Sequence, residues 1–243
     1  MGKGICLLPD LSQGYAFNLH ETPVVALPHA LLWLPRTATL VASDLHFEKG
    51  SAYAAKGSLL PPYDTAETLD RLSTVIDMLQ PKKLIALGDS FHDITANDRM
   101  RHGDKARLLA VSRITPTIWL EGNHDPEVPT WLEGARCASF FHDGLYFTHE
   151  PTGTTAGEVA GHLHPCARLS GNSGRSLRRR CFVSDGRTLI MPAFGAFTGG
   201  LNVRDIAFDG LFTDAPIALV PGGSARMPTR VRAIAVAKLD LGN

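Results

Sequence analysis

Three times in the first half of the chain, a short and mostly apolar run breaks directly into a polar segment rich in histidine and aspartate. Residues 39–42 lead into Ser43-Asp44-Leu45-His46, residues 83–87 into Gly88-Asp89, and residues 117–120 into Gly122-Asn123-His124-Asp125. Runs of this length and bounding read as strands buried on both faces. Between the first two, Leu69, Leu72, Val75, Ile76 and Leu79 recur at helical spacing over 64–79, with Asp64 and Glu67 placed like a capping box and Pro81 as a stop. A second helix is expected over 97–112. The order is therefore βαβαβ, and polar residues at the carboxyl ends of such strands converge on one edge of a sheet.

The rest of the chain predicts more strand than helix. Residues 23–42 read as short strands punctuated by Pro23, Pro28 and Pro35, with 30–34 and 39–42 apolar enough to be buried. After 135 the helical period fades, and strands are expected at 138–141, 144–148, 181–184, 187–191, 203–208 and 231–238, with a Gly/Ser loop that turns basic over 170–180. The expected architecture is α/β: one domain over residues 1–243 with two packed mixed β-sheets flanked by helices, the strands of 181–243 completing the second sheet. With 44% hydrophobic and 20% charged residues a sizeable core is available. Lys+Arg and Asp+Glu both total 24, so attraction to nucleic acid or an anionic membrane must come from a local patch. Cys6, Cys137, Cys166 and Cys181 form no C-x-x-C pair, which suggests a reduced, cytoplasmic protein. The apolar stretch at 5–8 is broken by Pro9-Asp10, so no signal peptide is expected, and no run approaches the roughly 18 apolar residues of a membrane helix.

Two later segments carry the same residue types: His149, after an apolar approach at 144–148, and Gly161-His162-Leu163-His164-Pro165. Carboxylate, imidazole and amide oxygen together make a donor set for Mn, Fe, Zn or Ni rather than Ca, and without cysteine a structural zinc site is disfavoured. Asp44 and His46 can both reach one ion if the backbone bends between them, and Gly161 is expected to permit a sharp turn that aims His162 and His164 into one cavity. A histidine such as His149 is by itself more often structural, but its place between two ligand-type motifs argues for a ligand. His20, His29, His102 and His142 match no motif and read as structural.

In order and spacing, D-x-H, G-D, G-N-H-D, a lone His and G-H-x-H over residues 44–164 resemble the calcineurin-like metallophosphoesterases. The resemblance implies the fold of that family and two divalent ions, Mn first among Mn, Fe, Zn and Ni. Asp44, His46 and His164 would hold one ion, Asn123, His149 and His162 the other, and Asp89 would bridge them. It further implies that His124 stabilises developing charge or protonates the leaving alkoxide, with Asp125 orienting its ring. Here the second acid after Gly88-Asp89 falls one residue later than the usual G-D-x-x-D, leaving the roles of His92 and Asp93 open. The arginine that protein phosphatases carry soon after G-D is absent, since the next is Arg99.

A narrower similarity rests on residues 44–50, 88–93 and 189–195, which resemble the bacterial DNA ligase-associated metallophosphoesterases. It implies a DNA endonuclease of DNA repair, with DNA, a DNA ligase and a helicase as partners and no membrane. A phosphodiesterase for a cyclic nucleotide or nucleotide-sugar is the alternative. A non-catalytic scaffold is a third reading, against which the intact His124 argues. Arg178, Arg179 and Arg180, with Arg168 and Arg175 nearby, are candidate phosphate contacts, or else a solvated loop. Arg99, Arg101, Lys105 and Arg107 are expected on an exposed helix face, and Phe194 and Phe197 are candidates to line a groove.

Overall fold

A computed structural model of the chain describes residues 11–58, 63–170 and 176–239; the expectations placed on residues 5–8, Cys6 and Arg175 lie outside them. The first sheet has the order β1 (Tyr15–Leu19), β2 (Thr22–Ala26), β3 (Leu32–Leu34), β4 (Thr39–Ala42), β5 (Lys83–Ala86), β6 (Thr117–Leu120) and β7 (Ala135–Cys137). Pairing is antiparallel from β1 to β4 and parallel from β4 to β7. The parallel half needs crossovers, which α1 (Lys49–Ala55) and α2 (Asp64–Leu79) supply between β4 and β5, and α3 (Ala96–Arg99) and α4 (His102–Ile114) between β5 and β6, while residues 121–134 link β6 to β7 without a helix.

The second sheet is also mixed. It comprises β8 (Ser139–His142), β9 (Leu145–Thr148), β10 (Glu158–Ala160), β13 (Phe182–Ser184), β14 (Thr188–Ile190), β15 (Ile217–Gly223) and β16 (Pro228–Ala235), in the order β16-β15-β13-β14-β10-β9-β8. The hairpin of β11 (Cys166–Ser170) and β12 (Ser176–Arg180) stands apart from both sheets.

Strand alternation explains the layers. Leu40 and Ala42 of β4, Leu84 and Ala86 of β5 and Trp119 of β6 face a core shared with Leu69, Leu72, Val75 and Ile76 of α2. Their neighbours Val41, Ile85 and Leu120 face the opposite way, against Phe147, Val159, Phe182 and Leu189 of the second sheet. Both faces of these strands are covered, which is why they are apolar at almost every position.

Several expectations need correction. The capping box at Asp64 and Glu67 does not form: Tyr63 is the N-cap without a side-chain bond, and Asp64 Oδ2 accepts instead from Gly50 N at 2.9 Å, tying α1 to α2. The helix expected over 97–112 is two helices, because Met100 turns extended (φ −62°, ψ 129°) and is buried in the first core. Residues 176–180 are a strand rather than a loop, with Arg178 opposite Arg168. The strand expected over 203–208 is a 3-10 turn at Ile206–Phe208, capped by Asp205. Among the described residues no helix is long and apolar enough to cross a membrane.

Candidate active site

Each of the three apolar strands β4, β5 and β6 ends in a loop that turns its polar residues toward the second sheet. The turns demand unusual backbone: Asp44, His46, Asp89, His162 and His164 all have positive φ, between 44° and 66°. Backbone of this kind strains a residue bearing a side chain, so its clustering marks a functional locus. The loops hold one another: His46 N donates to Asp89 O at 2.9 Å, Phe47 N to Ser90 O at 2.8 Å, and Phe194 N to Ser43 O at 2.8 Å. Gly161 matters for space rather than for a left-handed turn. Its φ is not positive, the unusual values falling on His162 and His164. A Cβ there would collide with Ser43 Oγ and Asp44 Oδ2. Gly88 serves both needs, with φ 78° and a Cβ position occupied by the His149 ring.

All seven residues expected as ligands come together in two adjoining groups. In the first, His164 Nε2 lies 2.9 Å from Asp44 Oδ1 and 3.3 Å from His46 Nε2. Asp44 is fully buried; its Oδ2 accepts from Ser43 Oγ and, at 3.2 Å, from His162 N, while Oδ1 accepts no well-formed hydrogen bond. In the second group, Asn123 Oδ1 lies 2.9 Å from both His149 Nε2 and His162 Nδ1. His149 Nδ1 meets Leu87 O at 3.0 Å, which leaves Nε2 as the inward lone pair of the neutral ring. Asp89 stands between the groups, with Oδ1 3.4 Å from His149 Nε2 and Oδ2 3.8 Å from His46 Nε2. Asp44 also comes close enough to share an ion with Asp89 and His149, a second involvement that the sequence did not suggest.

The electrostatics follow from burying so many titratable groups together. Burial works against the charges of Asp44 and Asp89, yet the surrounding histidines outweigh it and hold both carboxyls low, Asp89 at about 2. Burial alone would lower His149, but its bond to Asp89 and the two carboxylate charges raise it to about 9. Burial drives His46 down to about 3. Buried Asp44 Oδ1 without a well-formed hydrogen bond, converging imidazole nitrogens and a mixed O/N donor set fit a pair of divalent cations of the Mn, Fe, Zn or Ni type.

His124 sits at the rim with its side chain 41% exposed and Nε2 3.9 Å from Asp89 Oδ2. Its orientation is not set by Asp125, contrary to expectation. His124 Nδ1 lies 2.8 Å from the carbonyl of His92, whereas buried Asp125 accepts from Phe91 N at 2.9 Å. Burial pushes the Asp125 carboxyl up to about 7. The two residues left open are also placed. His92 supplies that carbonyl, and burial lowers its ring to about 4. Asp93 pairs with Arg99 at 2.8 Å and caps the turn at Thr95.

The basic residues divide. Arg178, Arg179 and Arg180 line, with Arg71 and His29, a surface cavity of about 250 Å³. The Arg180 guanidinium donates to carbonyls from Ala193 to Thr198, among them Gly195 O at 2.7 Å, so it buttresses the loop behind Asp44. Arg99 is engaged with Asp93, and Arg107 pairs with Asp70, rather than simply decorating a helix. Phe194 is fully buried beneath Arg71, with the guanidinium 4.3 Å from the ring centroid, so of the two phenylalanines only Phe197 reaches the surface. Ser43, which donates to Asp44, was not singled out in the sequence; its only signal is that it immediately precedes the D-x-H motif.

Comparison with known proteins agrees with this geometry. The calcineurin-like phosphoesterase family pattern matches residues 38–206, well over half of the chain. No curated protein matches the chain. Among solved structures, nuclease MPE of Pseudomonas putida superposes with a TM-score of 0.69 at 24% identity, covering 91% of this chain and 100% of that one. The phosphoesterase Yfce of E. coli gives a TM-score of 0.41 at 16% identity, covering 82% and 98%. With the family pattern spanning every ligand-bearing loop and the two packed sheets in place, the chain belongs to the calcineurin-like phosphoesterase family, hydrolases of phosphoric esters.

Proposed function

We propose that this protein is a two-metal phosphodiesterase that cleaves DNA strands as a repair endonuclease. The observation that carries the reading is the pairing of a compact seven-ligand centre with an open rim, where Asn123 is exposed and His124 half-exposed, so that a polymer can reach the reacting phosphate. The Arg178 and Arg179 cavity supports it by offering cations for phosphates beyond the scissile one. The likeness in fold to a nuclease and the narrower motif resemblance point the same way, and the latter supports a place beside a DNA ligase and a helicase. Free thiols at Cys137, Cys166 and Cys181 support a reducing, cytoplasmic setting.

Asp44, His46 and His164 would hold one ion, Asn123, His149 and His162 the second, and Asp89 both. When bound, two such ions acidify the attacking water and offset the phosphodiester charge, with Mn the first candidate. His124 does the remaining proton work. With Nδ1 donating to His92 O, Nε2 is the atom that faces the reacting group and delivers a proton to the leaving alkoxide.

The test is a side-by-side assay of the Mn-loaded protein on bis-p-nitrophenyl phosphate, p-nitrophenyl phosphate, and nicked, single-stranded and supercoiled DNA. Cleavage of the diester and of DNA is expected. Diester cleavage with all three DNAs intact would replace this reading with a phosphodiesterase for a small metabolite.

A further inference from the structure

Three rings form a column that begins at the metal-binding residues and ends in solvent. His124 stacks on His92 with centroids 5.4 Å apart and planes 20° apart, and His92 stacks on Tyr53 at 6.1 Å and 23°. The inner end of the column is His124, whose ring also meets His46 edge-on at 5.2 Å. The outer end is Tyr53, which stays 41% exposed. No hydrogen bond of its phenol hydroxyl is found among the described residues.

The column is held from both sides. Phe47 and Phe91 form a parallel bridge, and His92 N donates to Phe47 O at 3.0 Å, fixing the central ring beside the loop that carries His46. Tyr53 projects from α1, and Arg99 anchors that helix by donating to Ser51 Oγ at 3.0 Å while it grips Asp93 at 2.8 Å. The rings are thus aligned before any substrate arrives. A half-exposed aromatic face at the end of such a column suits a flat, apolar, π-bearing group attached to the reacting phosphate. In a nucleic acid that group is the base.

We propose that Tyr53 is a base-stacking residue of the substrate site: an unpaired nucleobase beside the scissile phosphodiester lies on its outer face and extends the column. The proposal rests on the nucleic-acid reading above and narrows it. A base still paired and stacked within a duplex cannot take this position, so the favoured substrate is single-stranded or locally unpaired.

The experiment uses two single-stranded oligonucleotides that differ only by a tetrahydrofuran abasic residue beside the cleaved bond. They are compared on the full-length Mn-loaded wild type and on Tyr53→Ala and Tyr53→Trp. Base–aromatic stacking predicts that the wild type favours the base-bearing strand by about tenfold in kcat/KM, that Tyr53→Trp keeps this preference, and that Tyr53→Ala brings the ratio close to one. As a readout independent of turnover, 2-aminopurine at that position should be quenched on binding to His124→Ala and not to the His124→Ala, Tyr53→Ala double variant. An unchanged ratio in Tyr53→Ala, or an equal loss on both strands that marks a mere prop for His92, overturns the proposal. A wild type that cleaves both strands equally sinks the proposal alone. One that cleaves small diesters but neither strand defeats the nucleic-acid reading and the proposal with it.

Discussion

At the scale of single residues, the proposed mechanism separates holding an ion from moving a proton, and the two tasks can be dissected. Asp89 turns one carboxylate oxygen toward each ligand group, and its Oδ1 also accepts from His124 N at 2.9 Å. Asp89→Asn preserves shape and can keep that backbone bond, but it removes the charge both groups face. Elemental analysis of the purified variant should show metal and phosphodiesterase activity lost together. The His124 side chain makes no hydrogen bond to Asp89, its Nε2 lying 3.9 Å from Oδ2, and the backbone bond survives truncation, so His124→Ala should retain metal and fold while turnover falls by roughly 10²–10⁴, the range for a lost general acid. Full activity in that variant would remove Nε2 as the proton donor. That these seven residues would meet was legible because their types and order are local facts of the chain. The partner of His124 was not: sequence adjacency favoured Asp125, whereas the turn at 88–92 brings a distant carbonyl to the ring and buries Asp125 under Phe91 N.

At the scale of elements, legibility followed burial pattern. The helix expected over 64–79 and the strands at 39–42 and 117–120 have those same bounds in the structure, because each must bury defined faces and its apolar spacing records them. The β11–β12 hairpin is held by backbone pairing and exposes much of β12, so no hydrophobic period announced it. β15 was missed because Pro221, Gly222 and Gly223 imitate a loop, whereas in the sheet they accommodate a register shift opposite β16. The turn between β13 and β14 shows what fixes such short strands. Asp185 accepts from Arg187 N and Thr188 N within the turn, and from Thr213 N and Asp214 N across to the approach to β15. Partial burial works against its charge, but the four amides outweigh it and hold the carboxyl below its ordinary value. A carboxylate depressed on folding adds stability that is present above its unfolded value near 3.9 and lost as pH falls through the folded value. Asp185→Asn should therefore melt below wild type at neutral pH, with the gap in Tm closing as pH drops below about 4. Acid titration of the other carboxylates is common to both proteins and cancels in the difference.

At the scale of the whole molecule, the proposed ligands come from both sheets. Asp44, Asp89 and Asn123 follow β4, β5 and β6 of the first sheet, while His149, His162 and His164 follow β9 and β10 of the second. The backbone already stitches this seam, with Phe194 N donating to Ser43 O at 2.8 Å and Gly195 N to Asp44 O at 3.1 Å. Ions held there would bind only the folded arrangement, since these groups are far apart along an unfolded chain, and such binding shifts the folding equilibrium by mass action. At a free ion concentration a hundredfold above Kd the stabilisation is about 2.7 kcal/mol. Each kcal/mol moves Tm by roughly 2–4 °C in a chain of this size, so stripping two ions, each worth that much, with a chelator should lower Tm by about 10–20 °C. Returning Mn should restore it in the wild type but not in Asp89→Asn. Since Leu120, Ile85 and Val41 pack directly against the second sheet, the loss should arrive as one cooperative transition. A chelated protein that loses activity while keeping its Tm would show that the apolar layer alone locks the sheets and that the ions serve chemistry only.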